Sequence, residues 1–243
     1  MNDDAGFSPT ARHEVRRPDS RRLWLAAALG VLISVVVLGA YVYKERRARA
    51  EREWQEVYRK TQKGLAPSGG KFFEETVLIK VPRFLQNDPR WGANLLGPSA
   101  TETLGSHGCA VSSAAMVLSF YGVDTDPQRL NDFLNGNNGF TPQAWIEWKV
   151  AVLLDPERVT FEYEDLPSYY LIDWNLERGN PVIVRLGYPP PRETSHFVVI
   201  CGKKGYDYLI MDPGSHGRTE AYPLAETGGK IDALRYYGPV KKG

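Results

Sequence analysis

A stretch without any charged residue, residues 23–43, constrains this chain more than any other feature. At about 1.5 Å per residue, a helix of this length spans roughly 30 Å, the thickness of a bilayer's hydrocarbon core. Trp24, Tyr41 and Tyr43 lie at its ends, where aromatic rings suit a membrane interface. A cleaved signal peptide and a buried core helix are the alternatives, but the stretch is longer than a typical signal-peptide core and lacks a good cleavage site. The sequence therefore predicts a single transmembrane helix over residues 23–43.

Charged residues are distributed unevenly along the 243-residue chain. Residues 1–63 hold 13 basic and eight acidic residues, net +5, whereas the remainder holds 17 basic and 21 acidic residues, net −4. The whole chain carries only +1, which removes any global electrostatic argument for a nucleic-acid partner. Basic residues flank the uncharged stretch on both sides in nearly equal number, so the positive-inside rule hardly distinguishes the two orientations. Counting basic residues further from the stretch favours a cytoplasmic C-terminal side.

Composition divides the chain into four segments. Residues 1–22 form a short basic tail ahead of the predicted membrane helix, residues 23–43. Residues 44–71 begin with strong helix formers and contain GLAPSGG at positions 64–70, which predicts a helical stalk followed by a hinge. The stalk is expected to hold the domain off the membrane, and contact with lipid headgroups or with a partner helix is the alternative. Residues 72–243 are predicted to form one globular domain.

Within that domain, helical patterns come first and strand patterns follow, which is typical of an α+β fold with an antiparallel sheet. An apolar helix is predicted from Cys109 to Tyr121, closed by Gly122. The other predicted elements are a strand from Glu75 to Val81, helices opening at Asp126-Pro127 and Thr141-Pro142, a helical turn from Tyr170 to Arg178, and strands Pro181 to Gly187, His196 to Gly202, Tyr206 to Asp212 and Ala233 to Tyr237. The aromatic residues of this region, including Trp145 and Trp148, are expected in the core.

Cys109 follows a glycine-bearing loop and starts the apolar helix. A helix N-terminus presents unpaired N–H groups and the positive end of the helix dipole, and both stabilise a thiolate. That is what a nucleophilic cysteine requires, whereas the ordinary alternative is a small buried hydrophobe. Cys201 lies in an apolar strand and is predicted to be a buried core thiol. Two cysteines make no disulfide framework and no Cys/His spacing predicts zinc, so neither metal nor cofactor is expected.

A thiolate nucleophile needs a base within hydrogen-bond reach, and the base needs an orienting acceptor. His13 precedes the predicted membrane helix, which leaves His107, His196 and His216. His107 is too close to Cys109 along the chain for their side chains to meet, and His216 lies in a predicted turn. His196 instead starts an apolar strand, a rigid element that can direct an imidazole at a helix packed on the sheet.

Asp212 ends the strand that follows the His196 strand. A hairpin turning at residues 203–205 would return Asp212 to the neighbourhood of His196, as the orienting acceptor. The alternatives are a satisfied core histidine and a turn aspartate ahead of Pro213.

Four motifs, taken together and in this order, resemble the peptidase C39-like family of the papain-like cysteine peptidases. They are a VPxxxQxDPRW opening from Val81 to Trp91, a GCxxxSxAM helix from Gly108 to Met116, an HFVV strand from His196 to Val199 and a closing Asp212-Pro213. The resemblance covers more than half of the chain. It implies a papain-like α+β fold, with N-terminal helices packed on an antiparallel sheet.

The resemblance also implies a role for each reactive residue. Cys109 would be the nucleophile, His196 the general base and Asp212 its orienter. The side-chain amide of Gln86 would complete an oxyanion hole with the N–H of Cys109. An amide suits that role because it stays neutral and does not quench a thiolate–imidazolium pair.

The chain departs from the family's pattern in two ways. Val111 and Ser112 stand where many relatives have proline and threonine, which affects the helix start but removes no reactive group. No GxxxxGK[ST] motif occurs, so cleavage coupled to ATP-driven export is not supported.

These patterns favour a membrane-anchored cysteine peptidase or amide hydrolase that cleaves a peptide or protein substrate through a thioester acyl-enzyme. One alternative is a non-catalytic accessory subunit that docks on a membrane protein complex through the anchor and stalk. The other is a cell-wall amidase or transpeptidase, since related folds carry several acyl transfers. Because such families with one N-terminal anchor usually face outward, the domain is expected outside the cytoplasm, against the wider charge count.

Overall fold

The computed structural model describes residues 20–61, 64–188, 195–214 and 218–240. The basic tail up to residue 19, together with His216, lies outside the described residues. The chain divides into two compact units, Met1–Lys60 and Thr61–Gly243.

The first unit is built on one long helix, α1 (Ser20–Thr61), which contains both the uncharged stretch and the predicted stalk. The uncharged stretch is helical throughout, and the stalk segment is helical up to Thr61. Among the residues that the structure describes, no helix has the length and hydropathy needed to cross a membrane, and the predicted transmembrane helix over residues 23–43 is not found.

The second unit contains five further helices among the described residues. They are α2 (Leu104–His107), α3 (Cys109–Phe120), α4 (Pro127–Gly136), α5 (Trp148–Ala151) and α6 (Tyr169–Leu176), with short 3-10 turns at Val152–Leu154 and Leu224–Thr227. The side chain of Asp126 caps α4 by accepting from the N–H of Arg129, and Pro127 occupies the first helical position. The predicted start of α4 is therefore confirmed.

Six strands pair into one antiparallel sheet within the described residues. They are β1 (Ser68–Leu78), β2 (Val159–Asp165), β3 (Val182–Gly187), β4 (Ser195–Met211), β5 (Tyr222–Pro223) and β6 (Lys230–Pro239), in the order β1-β4-β3-β6-β2 with β5 beside β4. The α+β fold with an antiparallel sheet is confirmed, and β2 is a strand that the sequence patterns did not indicate.

Strand β4 reverses direction along its length. The Sγ atom of Cys201 lies 3.7 Å from the carbonyl oxygen of Leu209, which is possible only if the chain folds back between them. Gly205 lies in that interval with φ of +59°, a backbone conformation that glycine adopts without strain. The reversal brings the residue after the strand, Asp212, back to its beginning at His196, as the hairpin prediction required.

Helix α3 packs on the sheet and fills the centre of the unit. Its residues 111–118 are all buried, and the hydroxyl of Ser113 donates to the carbonyl of Phe197 at 3.2 Å. Because Phe197 follows His196, this bond fixes the start of α3 against the start of β4. The core is one contiguous cluster in which apolar residues of α3 and α4 meet those of β3, β4 and β6.

The segment predicted as a hinge, GLAPSGG, is part of the folded unit. Leu65 is buried and exchanges two backbone hydrogen bonds with Ile231, at 2.7 and 3.0 Å, and β1 already begins at Ser68. Glycine and proline made the segment look flexible, but β6 supplies backbone partners that the local sequence does not reveal. The unit therefore begins before Phe72, the predicted boundary.

The helix predicted to open at Thr141-Pro142 does not form there. The hydroxyl of Thr141 accepts from the N–H of Trp145 at 3.2 Å, its carbonyl accepts from Ala144 at 2.9 Å, and Ala144 has φ of +58°. These bonds close a tight turn, and the helix α5 begins only at Trp148. A threonine hydroxyl can accept a hydrogen bond in a turn as readily as at a helix start, and Thr141 does so in a turn.

Candidate active site

Cys109 stands at the first position of α3, facing the cleft that the site occupies. Gly108 precedes it, and a Cβ at Gly108 would overlap the carbonyl oxygen of Leu104. Only glycine lets the chain turn from α2 into α3 at this point, which explains the Gly-Cys pair. The first helical turn closes with the N–H of Ser112 on the carbonyl of Gly108 at 2.9 Å, so the N–H of Cys109 lies at the open end of the helix.

His196, near the start of β4, links Cys109 to Asp212. Its Nε2 lies 2.6 Å from Oδ1 of Asp212, and its side chain is 22% exposed. Burial acts to lower the pKa of His196, but the hydrogen bonds to the side chains of Asp212 and Cys109 outweigh burial and raise the pKa to about 9. Since Nε2 faces Asp212, Nδ1 is the ring nitrogen left for Cys109.

Asp212 accepts hydrogen bonds from three directions. Oδ1 accepts from His196 and from the N–H of Gly214 at 2.7 Å, and Oδ2 accepts from the hydroxyl of Tyr222 at 2.6 Å. Burial acts to raise the pKa of Asp212, but the His196 imidazole and the two other donors hold the pKa below its usual range. The carboxylate therefore stays anionic beside a protonated His196.

Gln86 lies in the loop before α2 and lines the same cleft as Cys109. Its backbone N–H donates to the carbonyl of Pro213 at 2.9 Å, and its Nε2 donates to the carbonyl of Gly105 at 2.9 Å. Its Oε1 is enclosed and finds no hydrogen-bond partner within the described ranges. The Gly105 bond orients the amide so that Nε2 uses one of its two N–H groups, and the other remains for a ligand.

The structure thus brings together all four residues that the sequence indicated, Gln86, Cys109, His196 and Asp212, at one cleft of about 920 Å³. Of the other histidines, only His107 lies within the described residues. His107 also lines the cleft, but its Nδ1 contacts the hydroxyl of the adjacent Ser106 at 3.0 Å.

Two residues of the cleft were missed or misplaced by sequence reasoning. Tyr222, which holds Asp212, carries no local signal, because its position depends on the pairing of β5 with β4. Trp145 was expected in the core, but the turn at Thr141 presents it at the cleft with 70% of its surface exposed. Trp148 is buried as expected.

Cys201 is fully buried in β4, as predicted. Burial raises the pKa of its thiol to about 12, so it is not a second nucleophile at neutral pH. As for metals, the part of the chain that the structure describes contains no group of three or more His, Cys, Asp or Glu side chains that could hold an ion.

Comparison with known proteins identifies the family. A comparison with curated proteins found no match. Among solved structures, the chain is similar to that of a candidate C39-like peptidase from Bacillus anthracis, with 18% identity, 70% of this chain and 100% of that chain covered, and a TM-score of 0.45. The sequence profile of the Peptidase_C39 like family matches residues 78–238, which span every residue of the candidate site. The chain therefore belongs to the peptidase C39-like family.

Proposed function

We propose that this protein is a cysteine peptidase or amide hydrolase that acts through Cys109, His196 and Asp212. The observation that carries the proposal is the position of His196, hydrogen-bonded to Asp212 on one side and to the Cys109 side chain on the other, beside an open cleft. A protonated imidazole between an anionic carboxylate and a thiol is the arrangement that generates a thiolate at neutral pH.

Acylation begins from the thiolate–imidazolium pair. The Sγ of Cys109 attacks the carbonyl carbon of an amide, a C–S bond forms, and the carbonyl π electrons move to oxygen. The N–H of Cys109 and the free N–H of Gln86 Nε2 stabilise this oxyanion, because both are fixed in place before the reaction. The C–N bond then breaks, and Nδ1 of His196 gives its proton to the departing amine, which leaves a thioester on Cys109.

Deacylation reverses the proton's path. A water molecule gives a proton to the neutral His196 and attacks the thioester carbon, and collapse of the second tetrahedral intermediate expels the thiolate. The product is a carboxylic acid, and the thiolate–imidazolium pair is restored. Asp212 keeps Nε2 as the nitrogen that bears the fixed proton, so Nδ1 performs both transfers.

The cleft is open enough for a peptide. Its walls are apolar around Trp145, Trp148 and Phe197, and carry carboxylates at Glu102 and Glu147. Trp145 supplies an exposed ring that a substrate side chain can cover.

The location of the protein is a separate proposal that depends on the sequence. We propose that residues 23–43 hold the C-terminal unit at the outer face of a membrane. The support is the absence of charge over these residues, since no membrane-spanning helix is found among the described residues. Fractionation of cells that produce the chain, followed by protease treatment of intact cells and of lysates, tests it. Recovery with the soluble fraction after a high-salt wash would refute the anchor, and protection in intact cells would refute the outward orientation.

The test of catalysis is alkylation of the full chain with iodoacetamide, read by mass spectrometry of the peptide that carries Cys109. We expect rapid labelling of Cys109 in the parent protein and labelling at least tenfold slower in His196→Ala, with Cys201 unlabelled in both. Hydrolysis of a quenched fluorescent peptide library should be lost in Cys109→Ser. Equal labelling of parent and His196→Ala would refute the mechanism and favour the non-catalytic accessory subunit.

A further inference from the structure

The carboxylate of Asp212 accepts hydrogen bonds from two further donors besides His196, although orienting a histidine requires only the bond to that histidine. Oδ1 serves His196 and the Gly214 N–H, while Oδ2 accepts the Tyr222 hydroxyl at 2.6 Å, a distance typical of a charge-assisted bond. Tyr222 also lines the cleft, but nothing in the reaction described above uses it.

The register of the sheet explains why Tyr222 reaches Asp212. Tyr222 pairs with Ile210 across β4 and β5, and Pro223 pairs with Leu209. Asp212 is two residues beyond Ile210, so Tyr222 and Asp212 are diagonal neighbours on one face of the sheet, within reach of a long side chain. Leu224, fully buried directly after β5, anchors the segment in the core.

The ring of Tyr222 also packs against Arg218. The guanidinium carbon of Arg218 lies 4.0 Å from the centre of the Tyr222 ring, and the same guanidinium contacts Glu226 at 2.6 Å. The cation over the ring and the pairing of β5 together fix where the hydroxyl points.

We propose that Tyr222 is a positioning residue of the active site, which fixes the plane and the charge of Asp212 and acts on Cys109 through His196. The proposal rests on the proposed function. With Oδ2 held by Tyr222 and Oδ1 by Gly214, the carboxylate cannot rotate about its terminal bond without losing a hydrogen bond. His196 then meets one acceptor in one orientation, and its Nδ1 keeps a constant direction toward Cys109.

Charged and titratable groups surround His196 and Tyr222 and shift their pKa values. Cys109 of α3 and Asp212 face His196, while Arg218 and Tyr188 approach Tyr222. Burial and the Asp212 hydrogen bond both raise the pKa of Tyr222, so its hydroxyl remains a donor throughout the neutral range. Removing that donor takes away one of the contacts that lower the pKa of Asp212, so the carboxylate becomes easier to protonate.

The experiment uses Tyr222→Phe, which keeps the ring and removes only the hydroxyl. The rate of iodoacetamide alkylation of Cys109 is measured from pH 3 to pH 9 in the full chain. We expect the loss of reactivity on the acid side to begin about one pH unit higher than in the parent, and the neutral rate to fall roughly three- to tenfold. A residue with only a packing role would lower thermal stability without moving the acid limb.

Tyr169→Phe is the matched control, because its hydroxyl donates to the carbonyls of Ala66 and Ser68 and does not contact Asp212. Its profile should coincide with the parent profile. If the Tyr222→Phe profile also coincides with the parent profile while His196→Ala loses reactivity, Tyr222 has no positioning role and the proposed mechanism stands. If His196→Ala alkylates like the parent, the mechanism fails and the role of Tyr222 fails with it.

Discussion

Two charged networks made of the same kinds of group lie along β4, and only one of them lies at the active-site cleft. The first, the open network, combines a base, a carboxylate and a tyrosine hydroxyl: His196 near the start of β4, Asp212 directly after its end and Tyr222 of β5. In the second, the closed network, Lys203 near the reversal of β4 meets Asp173 of α6 at 2.6 Å, and the hydroxyl of Tyr208 donates to the same carboxylate oxygen at 2.8 Å. The difference between them lies in what each base has left to bind.

Lys203 has no N–H group left over. Its Nζ donates to Asp173, to the carbonyl of Gly69 at 2.8 Å and to Tyr208 at 3.3 Å, and its side chain has no exposed surface. The second oxygen of Asp173 accepts the N–H of Lys71 at 2.7 Å. Burial lowers the pKa of Lys203, although the Asp173 carboxylate opposes that change. The network joins β1, β4 and α6, and Lys203 has no N–H group left to donate to a reactant.

His196 differs because an imidazole has two nitrogens on opposite sides of a rigid ring. Asp212 takes Nε2, and Nδ1 remains for Cys109 at the edge of the cleft. Both networks satisfy the rule that buried charge needs partners. A spare donor and access to solvent separate a reactive network from a structural one.

The largest expected effect comes from removing the nucleophile of the open network. Cys109→Ser should reduce peptide hydrolysis by about 10³-fold or more, because a hydroxyl is not ionised by a neighbouring imidazolium. The free energy of unfolding should change by less than about 1 kcal/mol, since Cys109 is half-buried. Cys201→Ala is the control: it should keep hydrolysis and lose about 1 kcal/mol of stability. Hydrolysis of a fluorogenic peptide library and urea unfolding measure the two quantities.

Breaking the closed network should reverse that pattern. Lys203→Met leaves Asp173 buried without its cation, and the expected loss is about 3–5 kcal/mol of unfolding free energy. Activity per folded molecule should be unchanged, because Lys203 does not line the cleft. Urea denaturation measures the loss, and Lys203→Met combined with Asp173→Asn should recover part of it. A loss below about 1 kcal/mol in the single variant would contradict the closed network.

The sequence predicts best those parts of the site that depend on local signals. The apolar run after Gly108 predicts helix α3 with Cys109 at its start, and Asp126-Pro127 predicts the start of α4. The reversal of β4 follows from two strand patterns around a glycine. The approach of His196 to Asp212 follows in turn from that reversal.

The rest depends on pairing between segments whose partnership no local pattern indicates. Lys203 looks like a turn residue in the sequence, and only the approach of α6 brings Asp173 to it, 30 residues away. Tyr222 reaches Asp212 through the register of β5, and Leu65 joins the sheet through Ile231. The pairs Lys203–Asp173 and Leu65–Ile231 lie outside the window from which hydrophobic periodicity or turn propensity is taken. Tyr222 and Asp212 are ten residues apart, but only the strand register brings them together.

The pH dependence of stability should distinguish the open network as well. The pKa of His196 is raised from 6.5 in the unfolded chain to about 9 in the folded protein. Its contribution to stability is therefore complete below pH 6.5 and is lost as the pH rises through 9, on the order of 2–3 kcal/mol. The unfolding free energy of the parent minus that of His196→Gln should fall over this range. A flat difference between pH 6 and pH 10 would show that folding does not raise the pKa of His196.

The smallest effect is expected at the glycine that touches the open network. A Cβ at Gly214 would lie 3.1 Å from Cε1 of His196 and 3.4 Å from Oδ1 of Asp212, so the imidazole must shift by a few tenths of an ångström. Gly214→Ala should therefore reduce hydrolysis about three- to tenfold and change stability by less than about 1 kcal/mol. Gly70→Ala is the counterpart in the closed network, where φ is +73° and a Cβ would overlap Oδ2 of Asp173. It should lose about 1–3 kcal/mol of stability with the rate per folded molecule unchanged. If Gly214→Ala instead lowers stability and spares the rate, the cleft tolerates displacement of His196 and the geometric distinction between the two networks is weaker than the distances imply.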